Sequence, residues 1–231
     1  MQLISFKRHR FPPEVIRYAL WAYFRFTMSL RNVEDLLAES GIHVSYEAIR
    51  CWTTKFGPAI AWNIRGARQK PTGRWHLDEM FVKIGGERMW LWRAVDDEGE
   101  VLMLVQKHRN AEAALQLMRK PLRNQGVRLE TIVTDGLKSY GAAMKTLTLT
   151  AVHRHGRLRD NNRVKGSHLP IRRRERKQQR FKSQGSAQCF LATHAGVYNC
   201  FNTQRHLVSR PTLRLFRAAA HSSWAAATVA A

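Results

Sequence analysis

The stretch Trp75-His76-Leu77-Asp78-Glu79-Met80-Phe81-Val82-Lys83-Ile84 has the make-up of a strand. It is rich in aromatic and apolar residues, is closed by Gly85-Gly86, and precedes a second strand-like run. In its middle sits a carboxylate, Asp78. Burying an ionised Asp costs several kcal/mol unless it is paired or binds a metal. The run Thr131-Ile132-Val133-Thr134-Asp135-Gly136 carries the same anomaly at its end. Either Asp alone could be a solvated strand end. Two strand-borne Asp residues followed by a long basic tail point instead to a metal site that handles a phosphodiester.

Downstream of the first strand, Met89 to Val95 and Val101 to Gln106 read as strands joined by the turn signal Asp97-Glu98-Gly99. Asn110 can cap a helix that turns Ala113, Ala114, Leu117, Met118 and Leu122 inward. Thr131 to Thr134 is the next strand, then a helix from Leu137 to about Leu147 and a short strand near Leu149 to Val152. From Asn161 the chain reads as helical, first a very basic segment and then Ala187 to Leu207. This order is mixed α/β.

Upstream, Pro12 and Pro13 suit a helix start, and Val15, Ile16, Ala19, Leu20, Tyr23 and Phe24 recur at helical spacing. Ser29 can cap a second helix that ends at Gly41. Ser45 can cap a third, Tyr46 to Lys55, that ends at Gly57-Pro58. Helix, glycine turn, helix is the helix-turn-helix pattern, although a plain three-helix bundle shares the periodicity. In the first reading Tyr46, Glu47, Arg50, Thr53, Thr54 and Lys55 face outward toward DNA. Residues 58–73 read as a basic connector, with the domain boundary near residue 70.

Charge narrows the partner. Lys and Arg number 39 against 17 acids, a formal charge of +22, which predicts a polyanion and most simply nucleic acid. A ribosomal or other structural basic protein is the competing class. Three scattered cysteines form no metal or disulfide pattern, and no leader or membrane span is evident, so a cytoplasmic protein associated with DNA is expected.

Arg74-Trp75-His76-Leu77-Asp78-Glu79, Trp90-Leu91-Trp92-Arg93-Ala94-Val95-Asp96, Thr134-Asp135-Gly136 and Asp160-Asn161-Asn162 together resemble the DDE transposases of bacterial insertion sequences, within them the IS six family. The tail Arg172-Arg173-Arg174-Glu175-Arg176-Lys177, Phe181-Lys182-Ser183 and Asn202-Thr203-Gln204-Arg205-His206 is also similar to that family. The resemblance implies an RNase H-like mixed sheet with flanking helices over residues 71–231, basic and helical toward its C-terminus, preceded by an all-α helix-turn-helix domain and connector over 1–70. It implies two Mg²⁺ ions held by Asp78 and Asp135. It also implies cleavage at terminal inverted repeats, strand transfer into double-stranded target DNA, and a homodimer. Where the family has its third acid, this chain has Lys165, between Asn161-Asn162 and His168. Asp160 and Glu175 are the remaining acids after Asp135, and neither occupies that place without reorganising the segment. Cleavage is therefore expected to be weak or absent, and a catalytically dead relative that represses transposition is the alternative. Arg172, Arg173, Arg174, Arg176, Lys177, Arg180 and Lys182 are expected on DNA phosphates, because their run flanks the site. Trp75, Trp90 and Trp92 are expected in the core of the sheet rather than as stacking platforms.

Overall fold

The computed structural model describes residues 1–68, 71–97, 99–125, 128–155, 162–203 and 208–229. The chain forms two compact units, one of residues 69–191 and one joining 1–68 with 192–231.

The unit of residues 69–191 is built on a five-stranded sheet: β1 (Arg74–Ile84), β2 (Glu87–Asp96), β3 (Val101–Gln106), β4 (Thr131–Thr134) and β5 (Val152–His155), in the order β3-β2-β1-β4-β5. β1, β2 and β3 form an antiparallel meander, and β4 and β5 run parallel to β1. This is the RNase H-like mixed sheet. Two helices, α4 (Ala111–Gln125) and α5 (Lys138–Thr146), supply apolar residues to a core with Trp75, Leu77, Trp92 and Ala94. Trp92 meets Tyr140 edge-on at 5.6 Å. Asn110 caps α4 as its side chain accepts from the Ala113 N–H at 3.0 Å. A helix α6 (Asn162–Lys177) packs on β1 and β2 with Val164 and Ile171 buried.

β1 is far longer than β4 and pairs with it only over Arg74 to His76. Beyond that point its free edge finds other partners. The Lys83 N–H donates to the Glu175 carboxylate at 3.2 Å, and the Gly85 N–H donates to the Phe181 carbonyl at 2.9 Å. Gly85 has φ +57, and a Cβ there would meet the Lys182 carbonyl oxygen at 2.9 Å, so no other residue fits this close approach.

The other unit contains α1 (Pro13–Arg25), α2 (Leu30–Ala38) and α3 (Tyr46–Gly66), which pack on one another. Ser29 and Asn32 form a reciprocal capping box, and Ser45 accepts from the Ala48 N–H at 3.3 Å. α3 does not stop at Gly57-Pro58 but runs on to Gly66. Pro58 removes a helix N–H, yet Trp52, Phe56, Ile60 and Ile64 keep one apolar face buried across it, and burial outweighs the lost bond. Gly57 is there for packing: a Cβ would lie 3.0 Å from Thr193 and 3.2 Å from Phe24. Much of the expected connector is thus helix.

Residues 192–231, expected with the sheet, group with these N-terminal helices instead. They include α8 (Arg210–Ala227), which the sequence reading missed. Its start carries ordinary signals, a Ser209 cap accepting from the Thr212 N–H at 3.3 Å and a proline in the first turn. α7 (Gln184–Phe201) contains the unit boundary. β5 begins about where the expected strand ended, because Leu149 and Ala151 pack against the core instead. Among the described residues no helix is long and apolar enough to cross a membrane.

Candidate catalytic site

β1 and β4 pair as Arg74 with Thr131, Trp75 with Ile132 and His76 with Val133. The same register continued puts Asp78 opposite Asp135. One carboxylate oxygen from each of Asp78, Glu79 and Asp135 lies within 4.8 Å of the others. Asp78 and Glu79 are buried, whereas Asp135 is exposed at the start of the β4–α5 turn. There Gly136 takes φ +91 and the Leu137 N–H donates to Asp135 Oδ1 at 3.2 Å, which fixes the carboxylate's direction.

The two buried acids are held differently. Glu79 accepts from the Tyr140 hydroxyl at 2.8 Å and from Arg109 Nε at 2.8 Å, with Arg109 Nη2 on the same oxygen. The Arg109 guanidinium also lies 5.0 Å from the Trp90 ring centroid. Burial and the neighbouring Glu79 push the Tyr140 hydroxyl well above its ordinary range, so it stays a proton donor. Asp78 is pushed up to about 6, first by burial and then by the charges of Glu79 and Asp135. A hydrogen bond from the Glu79 backbone and the positive charge of Lys165 oppose that rise.

Lys165 is half-buried on α6, and its positive charge acts on Asp78, last among the causes of that residue's shift. One turn further, His168 is held down at about 3, first by burial and then by Arg93, Arg172 and Lys165. Glu175 is engaged elsewhere, taking Arg172 at 2.9 Å and the Lys83 N–H at the strand edge. Asp160 and Asn161 lie outside the described residues, as do residues 204–207.

The expected DNA contacts divide. Arg173, Arg176, Lys177, Arg180 and Lys182 are exposed, and Arg172 is half-buried against Glu175. Arg174 is 2% exposed, with its guanidinium 6.0 Å from the Phe190 ring centroid, so it packs within the protein and cannot reach a phosphate. On α3, Tyr46, Arg50 and Lys55 are exposed, while Thr53 is half-buried and donates to the Arg50 carbonyl at 2.8 Å. Arg50 pairs with Glu47, and Arg31 covers Tyr46 at 4.4 Å. Trp75 and Trp92 are fully buried, but Trp90 is only half-buried.

Sequence reasoning missed Glu79 with its anchors Arg109 and Tyr140. The available signal was a second acid beside Asp78 in the same apolar run. Three carboxylates converge here, and with Glu79 taken by Arg109 and Tyr140 it is Asp78 and Asp135 that offer hard oxygens suited to a divalent cation.

A family model described as a DDE domain matches residues 72–204. The transposase for insertion sequence-like element IS431mec of Staphylococcus aureus is 28% identical over 140 residues, covering 60% of this chain and 62% of that protein. The transposase for insertion sequence element IS257 in transposon Tn4003, also from Staphylococcus aureus, is 26% identical over the same shares. The chain thus spans less than two thirds of the length of the curated relatives it matches. Among solved structures, a chain of the simian T-cell lymphotropic virus intasome in complex with PP2A regulatory subunit B56 gamma is similar at TM-score 0.39 and 14% identity. That match covers 56% of this chain and 50% of the other. With the family model spanning more than half of its length, the chain belongs to the DDE transposases of bacterial insertion sequences, in the IS six family.

Proposed function

We propose that this protein is a transposase that binds the inverted-repeat ends of its insertion sequence, and that in this copy strand cleavage and strand transfer are weak or absent. One observation carries the reading. Asp78 and Asp135 meet within 4.8 Å while a lysine acts on Asp78 from the position of the third acid. Recognition is assigned to residues 1–70 through Tyr46, Arg50, Thr53 and Lys55 of α3, as a helix-turn-helix module. Phosphate contact is assigned to Arg173, Arg176, Lys177, Arg180 and Lys182. A transposase of this kind must bring two ends together, so a homodimer on double-stranded DNA in the cytoplasm belongs to the same reading.

Asp78 and Asp135 would hold Mg²⁺. That ion supplies Lewis-acid stabilisation of phosphoryl oxygens and an activated oxygen nucleophile. Glu79 is committed to Arg109 and Tyr140 and serves mainly to hold β1 against α5, the helix that follows Asp135. The Lys165 ammonium has donors and no acceptor, so it cannot ligate a cation. It exchanges a negative for a positive charge at the third position and offers Asp78 a counter-ion built into the fold. That favours the metal-free protein and opposes cation binding.

The test is Mg²⁺-dependent nicking of labelled duplex carrying the element's ends, with the chain as it stands and with Lys165→Glu. Wild type should stay near background, and the variant should gain about 100-fold or more, the scale on which one electrostatic transition-state contact acts. Robust wild-type cleavage would refute the proposed defect. A Lys165→Glu protein that binds the ends yet stays at background favours the second reading, a repressor that occupies them. That reading draws support from the same lysine.

A further inference from the structure

Past the part of the sheet that α4 and α5 cover, β1 and β2 continue. Phe81 and Trp90 are register partners at the margin of the core under those helices, both half-buried, with Trp90 still packed against it. Arg88 lies over both rings, 5.0 Å from the Phe81 centroid and 5.4 Å from that of Trp90. Phe81 also lines a cavity of about 550 Å³ with Lys83, Glu175, Arg176, Gln179 and Arg180. Lys83, Arg176 and Arg180 are exposed cations. The one acid, Glu175, is already engaged by Arg172 and the Lys83 N–H, so the cavity wall is positive in effect.

The backbone beneath the cavity is the turn that ends α6. Gln179 and Arg180 both have left-handed φ, 53° and 72°, although neither is glycine. The turn is locked, as the Arg180 N–H donates to the Glu175 carbonyl at 2.8 Å. The Gln179 N–H donates in turn to the Arg176 carbonyl at 3.0 Å, so the pair forms the Schellman pattern of a helix end. Here the turn holds Arg180 at the cavity.

We propose that this cavity binds an unpaired nucleotide of a DNA strand, its base stacked on Phe81, which Arg88 backs, and its flanking phosphates on Lys83, Arg176 and Arg180. Aromatic rings and guanidinium planes both stack on bases, and a positive groove beside an aromatic platform is how single strands are held. Bases inside a duplex are stacked on each other, so only an unpaired or extruded base can lie on Phe81. The position suits the chemistry. Phe81 is two residues beyond Glu79 on the same strand face, roughly 7 Å along β1, which sets the platform close to the Glu79 side of the carboxylate cluster. The inference rests on the DNA reading above and adds to it the state of the DNA at the site.

The full chain, in chelator, is titrated by fluorescence anisotropy with a blunt duplex and with the same duplex bearing three unpaired nucleotides at one 3′ end. 2-Aminopurine is placed in the unpaired stretch. Wild type should prefer the unpaired end by about 5-fold or more, from the usual strength of base–aromatic stacking, and should quench the probe. Phe81→Ala and the milder Phe81→Leu should abolish preference and quenching while keeping blunt-duplex affinity, and Phe81→Trp should retain both. Lys83→Ala with Arg180→Ala should weaken both duplexes and flatten the salt dependence. Equal binding of both duplexes by wild type, or a preference that survives Phe81→Leu in folded protein, overturns the cavity assignment alone. Absence of salt-sensitive binding to either duplex overturns the DNA reading itself, and the cavity assignment with it.

Discussion

Asp78 and Glu79 are neighbours on β1 and are equally buried, yet their surroundings differ in kind. Glu79 is clamped between the Tyr140 hydroxyl and the Arg109 guanidinium, and its charge is answered by donors from two other parts of the chain. Asp78 sits beside two other carboxylates, and its proton is held up to about 6. Burial alone therefore does not tell which acid does chemistry. A carboxylate whose oxygens are saturated by fixed donors is part of the framework. One crowded by like charge is poised for a cation, and the charge of Lys165 opposes that crowding only as the last of the named causes.

The largest expected effect tests the framework half of that contrast. Glu79→Ala leaves the buried Tyr140 hydroxyl unsatisfied and the exposed Arg109 without its carboxylate, so urea denaturation should show a loss of about 2–3 kcal/mol, most of it from the hydroxyl because solvent screens the ion pair. Asp78→Asn should do the reverse. Its folded pKa is raised from 3.8 to about 6, so the native state binds the proton more tightly, and that contribution is complete below 3.8 and gone once pH passes 6. At pH 8 in chelator the variant should match wild type or exceed it by about 1–2 kcal/mol, allowing for solvent screening. If Asp78→Asn costs as much as Glu79→Ala, the two acids are equivalent and the contrast fails.

How much of this was legible in the sequence depends on the range of the interaction. The meander and the caps at Ser29, Ser45 and Asn110 follow from strand patterns and local capping chemistry, while the convergence of Asp78 with Asp135 was expected from the family resemblance and is seen in the carboxylate cluster. Gly57-Pro58 misled because the pair is a strong local stop signal, and what overrides it is the buried face from Trp52 to Ile64, packed on residues far away in sequence. The same reason hid the attachment of residues 192–231 to the N-terminal helices. At the site, Lys165 was legible only through the spacing of the resembled motif, between Asn161-Asn162 and His168. The clamp on Glu79 was not, because Arg109 and Tyr140 are 30 and 61 positions away and neither belongs to a motif. Arg174 misled in the opposite direction, since a run of arginines reads as one exposed surface until a helix turns one of them inward.

The smallest effect joins the two halves. His168 lies one turn after Lys165 on α6, and its pKa falls from 6.5 to about 3, through burial first and then Arg93, Arg172 and Lys165. In the unfolded chain it titrates near its ordinary value, so between pH 6.5 and about 3 the unfolded state binds the extra proton. The stability tied to this residue is therefore whole above pH 6.5 and drains as pH falls through that window. By pH 5 the loss should be about 1–2 kcal/mol. Thermal unfolding from pH 7 to 5 should therefore fall more steeply for wild type than for His168→Gln, which has nothing to protonate. Lys165 is the weakest of the named causes, so Lys165→Glu should flatten this slope only in part, by removing one of three cations and placing an anion on the same helix face. That partial flattening is the quantity to measure. If the steeper fall of wild type relative to His168→Gln is identical in a Lys165→Glu background, the charge at position 165 is screened from the sheet side of α6. Its proposed hold on Asp78 would then have to be given up as well.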